Sequence, residues 1–307
     1  MIKFSGISVS LGSNKEGNSD LEKKFDWEDG KISLKTGINQ RFISDEDETT
    51  EILALRAVEN LLKKQPIEDI DCIISTTNTQ SNTFPALAYH ILLDKKFNKN
   101  IQCFGLNVGC TGFVDALVLA YSGIASKLYK KVLIVTSDTY SKFIQESDQS
   151  TRPLFSDGAT ATLVEFDEGG YKLNDYASSS VPNTLHHLCM IKDKKLNNYI
   201  QMNGPNILTF AVGNVLPSLK KMIDPNLKYT FYPHQAGKLV LDTFEKKLSQ
   251  NISIQNNYSK FGNLVSGSIP NLISDTCPEL NLPENIILSG FGVGLAHTTL
   301  ILNKKKD

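Results

Sequence analysis

The stretch Leu106–Phe113 reads LNVGCTGF and joins a predicted strand to a predicted helix. A helical pattern of apolar residues follows it, from Gly112 to Leu128. Cys110 therefore starts a helix, where unpaired N–H groups and the helix dipole favour a thiolate. The flanking glycines leave room for a substrate to approach the sulfur. A buried structural role is the default for a lone cysteine, but this setting favours a nucleophile.

On both sides of this stretch, apolar strands alternate with amphipathic helices. Strands are predicted at residues 72–76, 131–136, 228–232 and 285–289, and helices at 50–64, 112–128 and 237–248. This alternation is typical of a layered α/β fold. The chain has 307 residues, of which 40% are hydrophobic, so it is long enough to bury a large core.

The pattern of strands and helix starts repeats in the second half of the chain. Cys110 lies 22 positions before Val132 (132 − 110), and Asn263 lies 23 positions before Ile286 (286 − 263). A duplicated fold would bring these two helix starts together where its halves meet. We therefore predict a half carrying the cysteine, residues 1–165, and a half carrying histidine and asparagine, residues 166–307.

His234 and Asn263 are the candidate partners of the thiol. His234 follows the predicted strand 228–232, and α/β folds place ligand-facing residues at strand ends. Asn263 follows Gly262, a pair that on its own is usually a turn or a cap. The alternating glycines of Ser289–Gly294 predict a tight turn that presents backbone N–H groups.

Composition argues against several other functions. The formal net charge is −1, so the chain lacks the basic excess of a nucleic-acid-binding protein. No apolar run approaches the ~20 residues that span a bilayer, and no secretory signal is visible. The five cysteines are scattered without a Cys-x-x-Cys pair. We therefore expect no disulfide framework, no metal site, no membrane insertion and a reducing, cytoplasmic location.

Together these motifs resemble β-ketoacyl-ACP synthase III and its relatives in the thiolase superfamily. The matching segments follow in order: 36–38 (TGI), 83–85 (TFP), 109–113 (GCTGF), 154–159 (LFSDGA), 233–236 (PHQA), 261–263 (FGN) and 290–294 (GFGVG). The resemblance implies a duplicated thiolase fold with five αβαβα layers. It also implies an acyltransferase without a cofactor, whose substrates are thioesters of coenzyme A or acyl carrier protein (ACP).

By this resemblance, Cys110, His234 and Asn263 form a catalytic triad. Cys110 accepts an acyl group from a thioester, and the backbone N–H groups of Cys110 and Val293 form the oxyanion hole. His234 and Asn263 donate hydrogen bonds to the thioester oxygen of malonyl-ACP and stabilise the enolate left by loss of CO2. The enolate attacks acyl-Cys110 in a Claisen condensation, which gives a β-ketoacyl product.

The resemblance also implies contacts with proteins. Phe84 resembles the residue that crosses a homodimer interface and closes the acyl pocket of the partner. Lys246 and Lys247 lie where the family docks acidic ACP.

Coenzyme A or its pantetheine arm is expected to contact Lys35, Arg152 and Gly204. Lys31 and Lys35 stand where the enzymes that initiate fatty acid synthesis have a tryptophan and an arginine. A lysine cannot take over the role of either residue in binding coenzyme A. The primer carrier is therefore left open between coenzyme A and ACP. The pathway is left open between fatty acid synthesis and a specialised route such as polyketide synthesis.

Two alternative functions remain at this point. In the first, Cys110 passes its acyl group to an alcohol or amine without decarboxylation. In the second, the chain is the non-catalytic partner in a heterodimer. The complete Cys-His-Asn set favours condensation over both.

Overall fold

A computed structural model describes residues 1–67, 69–94, 97, 100–192 and 197–305. The strands are β1 (Ile2–Leu11), β2 (Asn14–Gly17), β3 (Gln40–Ile43), β4 (Cys72–Thr76), β5 (Gln102–Leu106), β6 (Lys131–Asp138), β7 (Gly158–Phe166), β8 (Tyr171–Ser180), β9 (Leu188–Lys192), β10 (Asn198–Met202), β11 (Tyr229–Pro233), β12 (Ile252–Ile254), β13 (Asn285–Gly292) and β14 (Ala296–Lys304). The α-helices are α1 (Asn18–Lys24), α2 (Lys31–Thr36), α3 (Thr50–Lys64), α4 (Leu87–Asp94), α5 (Gly112–Ala125), α6 (Gly204–Phe210), α7 (Leu216–Met222), α8 (Lys238–Lys247), α9 (Tyr258–Phe261) and α10 (Ser268–Thr276).

Ten of these strands form one sheet with an internal repeat. Their order is β12-β11-β13-β14-β8-β1-β7-β6-β4-β5. When the five strands of each half are numbered 1 to 5 along the chain, both halves have the order 3-2-4-5-1 from the outer edge of the sheet inwards. The same neighbours are parallel, and the same are antiparallel, in both halves. The halves join where β1 pairs with β8, through Ile2 and Tyr171. The predicted α/β duplication is confirmed, and the repeat changes over in the connection from Phe166 to Tyr171.

Three hydrophobic cores separate the layers. In the central core, α5 and α10 pack against strands of both halves, for example Ile74 of β4 and Ile286 of β13. In the first outer core, α3 and α4 cover the opposite face of the first half, including Ile73. In the second outer core, α7 and α8 cover the opposite face of the second half, including Ile287. Adjacent residues of one strand thus face different cores, as the pleat requires, and the layers follow the predicted αβαβα order.

The predicted elements match closely, with two corrections. Helix α5 ends at Ala125 rather than Leu128, because Ser126 forms the C-cap and Lys127 adopts a φ of 63°. The strand predicted at 285–289 continues through Gly292, so the tight turn is confined to Val293–Leu295. Within the described ranges, no helix is long and apolar enough to cross a membrane.

Candidate active site

Cys110 lies in a short 3-10 turn, Gly109–Thr111, between β5 and α5. Its side chain is only 4% exposed. A Cβ atom at Gly292 would lie 2.7 Å from the Cys110 sulfur, and one at Gly109 would lie 2.6 Å from the Val293 side chain. Because Gly109 and Gly292 have φ values of 61° and 154°, glycine is required at both positions for space and for conformation. These glycines keep the surroundings of the sulfur open.

The protonation state of Cys110 differs from the sequence-based expectation. Burial raises the pKa of the thiol to about 12, and the nearby charge of Asp138 raises it further. Backbone hydrogen bonds from Val293 and from Cys110 itself oppose this shift without reversing it. The predicted preference for thiolate is wrong for the resting site, because burial outweighs the favourable helix start. The free protein holds a neutral thiol at pH 7.

His234 follows β11 and lies beside the end of β13. Its backbone N–H donates to the Ser289 carbonyl at 2.8 Å, and its ring meets Phe291 edge-on with centroids 5.5 Å apart. The residue after Phe291 is Gly292, which faces the Cys110 sulfur. Adjacent residues at the end of β13 therefore lie beside the His234 ring and beside the thiol. Burial lowers the pKa of His234 to about 3, and a backbone hydrogen bond with Val265 opposes the shift. The imidazole is therefore neutral at pH 7.

Asn263 orients its amide toward His234. Its Oδ1 accepts from the backbone N–H of Val265 at 2.9 Å and from the Ser268 hydroxyl at 3.4 Å. Its Nδ2 consequently points the other way and lies 3.3 Å from Nε2 of His234. Both side chains are buried. The structure thus places these two nitrogen atoms side by side in a buried setting.

The backbone of Asn263 is held by a segment from the other half of the chain. Asn263 N–H donates to the Leu154 carbonyl at 2.9 Å, and Ser156 N–H donates to the Asn263 carbonyl at 3.0 Å. The preceding Gly262 has a φ of 64°, and a Cβ atom there would lie 2.8 Å from the Ser156 hydroxyl. The motif at 154–159 therefore positions the asparagine, a role that sequence reasoning did not assign.

Asp138 is a second residue whose place sequence reasoning missed. This buried carboxylate ends β6 and accepts from the Asn78 backbone N–H at 2.8 Å and from the Ser266 hydroxyl at 2.9 Å. Burial raises its pKa to about 7, and its hydrogen bonds oppose the shift. It links the loop after β4 to the loop after Asn263. The available signal was a charged residue at the carboxyl end of an apolar parallel strand.

The predicted coenzyme A residues lie in different settings. Lys35 and Lys31 place their amino groups 4.8 and 4.5 Å from the centre of the Trp27 ring. Arg152 binds Glu16 with both guanidinium nitrogens, at 2.7 and 2.9 Å, so its guanidinium is already engaged in an ion pair. Gly204 is exposed at the start of α6. Their contacts with coenzyme A stay predictions.

The residues predicted to meet other proteins are exposed. Phe84 is 83% exposed in the loop before α4. Lys246 and Lys247 are exposed in the last turn of α8. Val293 lies half-buried in the turn after β13, next to Cys110. Among the described residues, no group of three histidine, cysteine, aspartate or glutamate side chains could hold a metal ion.

A duplicated α/β fold with a buried cysteine, histidine and asparagine at the junction of its halves defines a thiolase-fold condensing enzyme. Family models match the chain twice: 3-oxoacyl-[acyl-carrier-protein (ACP)] synthase III at residues 104–181, and its C-terminal part at residues 226–304. The chain belongs to the β-ketoacyl-[acyl-carrier-protein] synthase III family.

Individual relatives match nearly the whole length of the chain. The β-ketoacyl-[acyl-carrier-protein] synthase III of Streptococcus pneumoniae is 34% identical over 306 residues, covering 93% of this chain and 94% of the relative. The solved structure of the Pseudomonas aeruginosa synthase III has a TM-score of 0.88 at 28% identity, covering 99% of this chain and 98% of that one. The Aquifex aeolicus synthase III also gives 0.88 at 28% identity, covering 99% and 100%.

Proposed function

We propose that this chain acylates Cys110 from an acyl thioester and condenses the acyl group with malonyl-ACP. The observation that carries the proposal is the pair of buried nitrogens, Nε2 of His234 and Nδ2 of Asn263, which lie 3.3 Å apart. The turn that follows Asn263 contacts the turn that holds Cys110. Membership of the synthase III family supports condensation. Neither acyl transfer to an alcohol or amine nor a non-catalytic role gains support from these relatives.

In the first step, the Cys110 sulfur bonds to the carbonyl carbon of the donor thioester. The oxyanion that forms would accept from the backbone N–H groups of Cys110 and Val293, an arrangement worth ~10²–10³ in rate per donor. Backbone hydrogen bonding from both residues already reaches the sulfur, which supports this assignment. The bond from carbon to the carrier sulfur then breaks, and the Cys110 proton passes to the departing thiolate.

In the second step, malonyl-ACP loses CO2 and its electrons move onto the thioester oxygen. His234 and Asn263 would donate hydrogen bonds to that oxygen and stabilise the enolate. A neutral imidazole suits this role, since its N–H donates to the developing charge and is not lost to the substrate as a proton. The enolate carbon then bonds to the acyl carbon and releases the Cys110 sulfur. Decarboxylation supplies the carbanion, so the reaction needs no resident cofactor.

Intact-mass spectrometry and CO2 release together test this proposal. The protein is incubated with acyl-CoA and acyl-ACP donors, with and without malonyl-ACP. We expect a mass increase on Cys110 followed by malonyl-dependent CO2 release and a β-keto product. Cys110→Ala should abolish the adduct, whereas Cys277→Ala, which changes a half-buried free cysteine outside the site, should not. Acylation without CO2 release would contradict condensation.

We also propose a homodimer built on the free edge of the sheet. Within the described part of the chain, strand β5 pairs only with β4, so it ends the ten-stranded order. The neighbouring surface exposes Phe84, Leu93 (88% exposed) and Phe104. Long exposed edges beside apolar side chains are typical of surfaces that pair with another chain. In this arrangement Phe84 would reach the acyl pocket of the partner.

Light scattering after size-exclusion chromatography tests the dimer. We expect twice the chain mass of 34.0 kDa, and loss of the dimer in Phe104→Asp. Tyr176→Asp changes an exposed aromatic on β8, in the middle of the sheet, and should leave the mass unchanged. A wild-type mass of one chain would refute the dimer.

The carrier of the primer is proposed to dock on the cationic surfaces of α2 and α8. These two helices contact each other, so Lys35 lies on the same side of the molecule as the helix that bears Lys246 and Lys247. Exposed lysines favour encounter with an acidic ACP. The carrier remains coenzyme A or ACP, with Arg152 and Gly204 as proposed pantetheine contacts. We propose a cytoplasmic location, where the five free cysteines would stay reduced.

A further inference from the structure

A cavity of about 320 Å³ opens beside Cys110. Its lining includes Asn78, Asn107, Tyr140, Leu188, Ile200 and Val293. A Cβ atom at Gly292 would lie 2.7 Å from the Cys110 sulfur and 3.9 Å from the Leu188 side chain. The cavity wall and the nucleophile are therefore neighbours. Its volume is near the lower end for ligand sites, which suits a small acyl group.

One wall of this cavity is polar. The hydroxyl of Tyr140 donates to Oδ1 of Asn78 at 2.9 Å, and Nδ2 of Asn78 donates to Oδ1 of Asn107. The backbone N–H of Asn78 is held by Asp138 at 2.8 Å. Two contacts thus hold the side-chain amide of Asn78, and a third holds its backbone.

The polar wall retains unused hydrogen-bonding capacity. Asn78 uses one of its two side-chain N–H groups, and the amide nitrogen of Asn107 donates to no described residue. Apart from Asn78, Asn107 and Tyr140, the described lining residues are apolar or bear a thiol, and none of the described lining residues is charged. A purely alkyl acyl chain would cover these amides without replacing their hydrogen bonds, which is unfavourable. A charged substituent would find no counter-charge there.

We propose that the acyl group carried by Cys110 is short and bears an uncharged oxygen substituent, a hydroxyl or carbonyl group, that hydrogen-bonds to Asn78 and Asn107. A hydroxyl group fits this wall because it both donates and accepts. The apolar remainder, including Leu188 and Ile200, covers the carbon chain. This inference rests on the proposed acylation of Cys110 and names the substrate class for that step.

Acylation rates with matched thioesters test the inference. The probes are butyryl and 3-hydroxybutyryl thioesters, which have equal carbon number, with acetyl thioester as a third donor. Intact mass follows the Cys110 adduct over time without malonyl-ACP. We expect the hydroxyacyl donor to react at least about tenfold faster than butyryl, the factor expected when the bound acyl chain covers one amide and leaves it unpaired.

Two variants locate the preference in the polar wall. Asn78→Leu keeps a similar shape without the amide, and it should reduce the hydroxyacyl-to-butyryl rate ratio by about tenfold or more. Tyr140→Phe removes only the hydroxyl that orients Asn78 and should reduce the ratio by a smaller factor. The matched control Tyr176→Phe, on exposed strand β8, should keep the wild-type ratio. Thermal melting checks that each variant is folded, and the wild-type and Tyr140→Phe comparisons suffice if Asn78→Leu does not fold.

The outcomes separate the inference from the proposed function. Equal rates with butyryl and hydroxybutyryl donors in the wild type, or an unchanged ratio in the folded variants, would overturn the inference and leave condensation intact. Absence of any Cys110 adduct with all three donors and with the wider donor panel would overturn the proposed function itself.

Discussion

Replacing Gly292 with alanine should slow acylation of Cys110 about 100-fold. The new Cβ atom would lie 2.7 Å from the Cys110 sulfur, whereas ordinary contact begins at 3.4 Å, so the two atoms must separate by 0.7 Å (3.4 − 2.7). The φ of 154° at Gly292 also disfavours a side chain, so the backbone cannot absorb the whole displacement without strain. A displacement approaching 1 Å in a reacting group can cost ~10²-fold in rate.

The assay is the initial rate of adduct formation on Cys110 at saturating acyl donor, followed by intact mass. Gly213→Ala is the matched control, because a Cβ atom there meets nothing within 4 Å. It should acylate at the wild-type rate. If Gly292→Ala also does so, with an unchanged melting temperature, the sulfur is not confined by the end of β13 and the reasoning fails.

Three further changes test other parts of the site. Asp138→Asn removes a buried carboxyl whose pKa is raised to about 7, and which is therefore more easily protonated in the folded than in the unfolded chain. In the wild type, the stabilisation from this protonated carboxyl is fully present at low pH and is lost as the pH rises through 7. Between pH 4 and 7, the free energy of unfolding of the wild type should therefore fall relative to that of the variant by ~1.4 kcal/mol per pH unit. Gly262→Ala should displace Asn263 and reduce malonyl-dependent CO2 release by ~10²-fold, while Cys110 acylation stays within a few-fold. Glu16→Gln should lower the free energy of unfolding by roughly 3 kcal/mol, because it leaves the fully buried Arg41 without its carboxylate partner.

Each of these predictions has its own contrary result. Unfolding curves of wild type and Asp138→Asn that keep a constant separation from pH 4 to 7 would mean that the carboxyl is not perturbed. Equal losses of acylation and CO2 release in Gly262→Ala would point to a general distortion, which Gly213→Ala controls for. Glu245→Gln changes an exposed glutamate of α8 and should leave the free energy of unfolding unchanged. If Glu16→Gln had an equally small effect, the ion pairs of Glu16 would contribute little to stability.

The sequence predicted the parts of the fold that local patterns determine. Helix α3 runs from Thr50 to Lys64 as its apolar spacing indicates, with Thr49 capping the Ile52 N–H and the helix ending before Pro66. The similar spacing after Cys110 and Asn263 reflects a real duplication, because each residue lies at the start of, or just before, a helical segment that leads into an equivalent strand. Hydrophobic periodicity is a local property and survives in the folded chain.

What the sequence could not supply were long-range partners and environments. The ion pair of Arg152 with Glu16, which lies 136 positions earlier, was not predicted. The Cys110 thiol was expected to ionise readily, but that depends on its burial, which several distant segments create together. The anchoring of Asn263 by residues 154–156 is likewise invisible until the halves are assembled. Such contacts have no periodic signature.

The shared central core has a consequence for synthesis on the ribosome. Once Phe166 has been made, all five strands of the first half are present, but the face of α5 that packs on β13 and β14 still lacks its cover. Strand β13 begins 119 residues later (285 − 166). During that interval the nascent chain exposes apolar side chains such as those of the central core, which makes it prone to aggregate. We expect chains truncated near residue 170 to be captured by holdase chaperones, even though the finished protein buries that face completely.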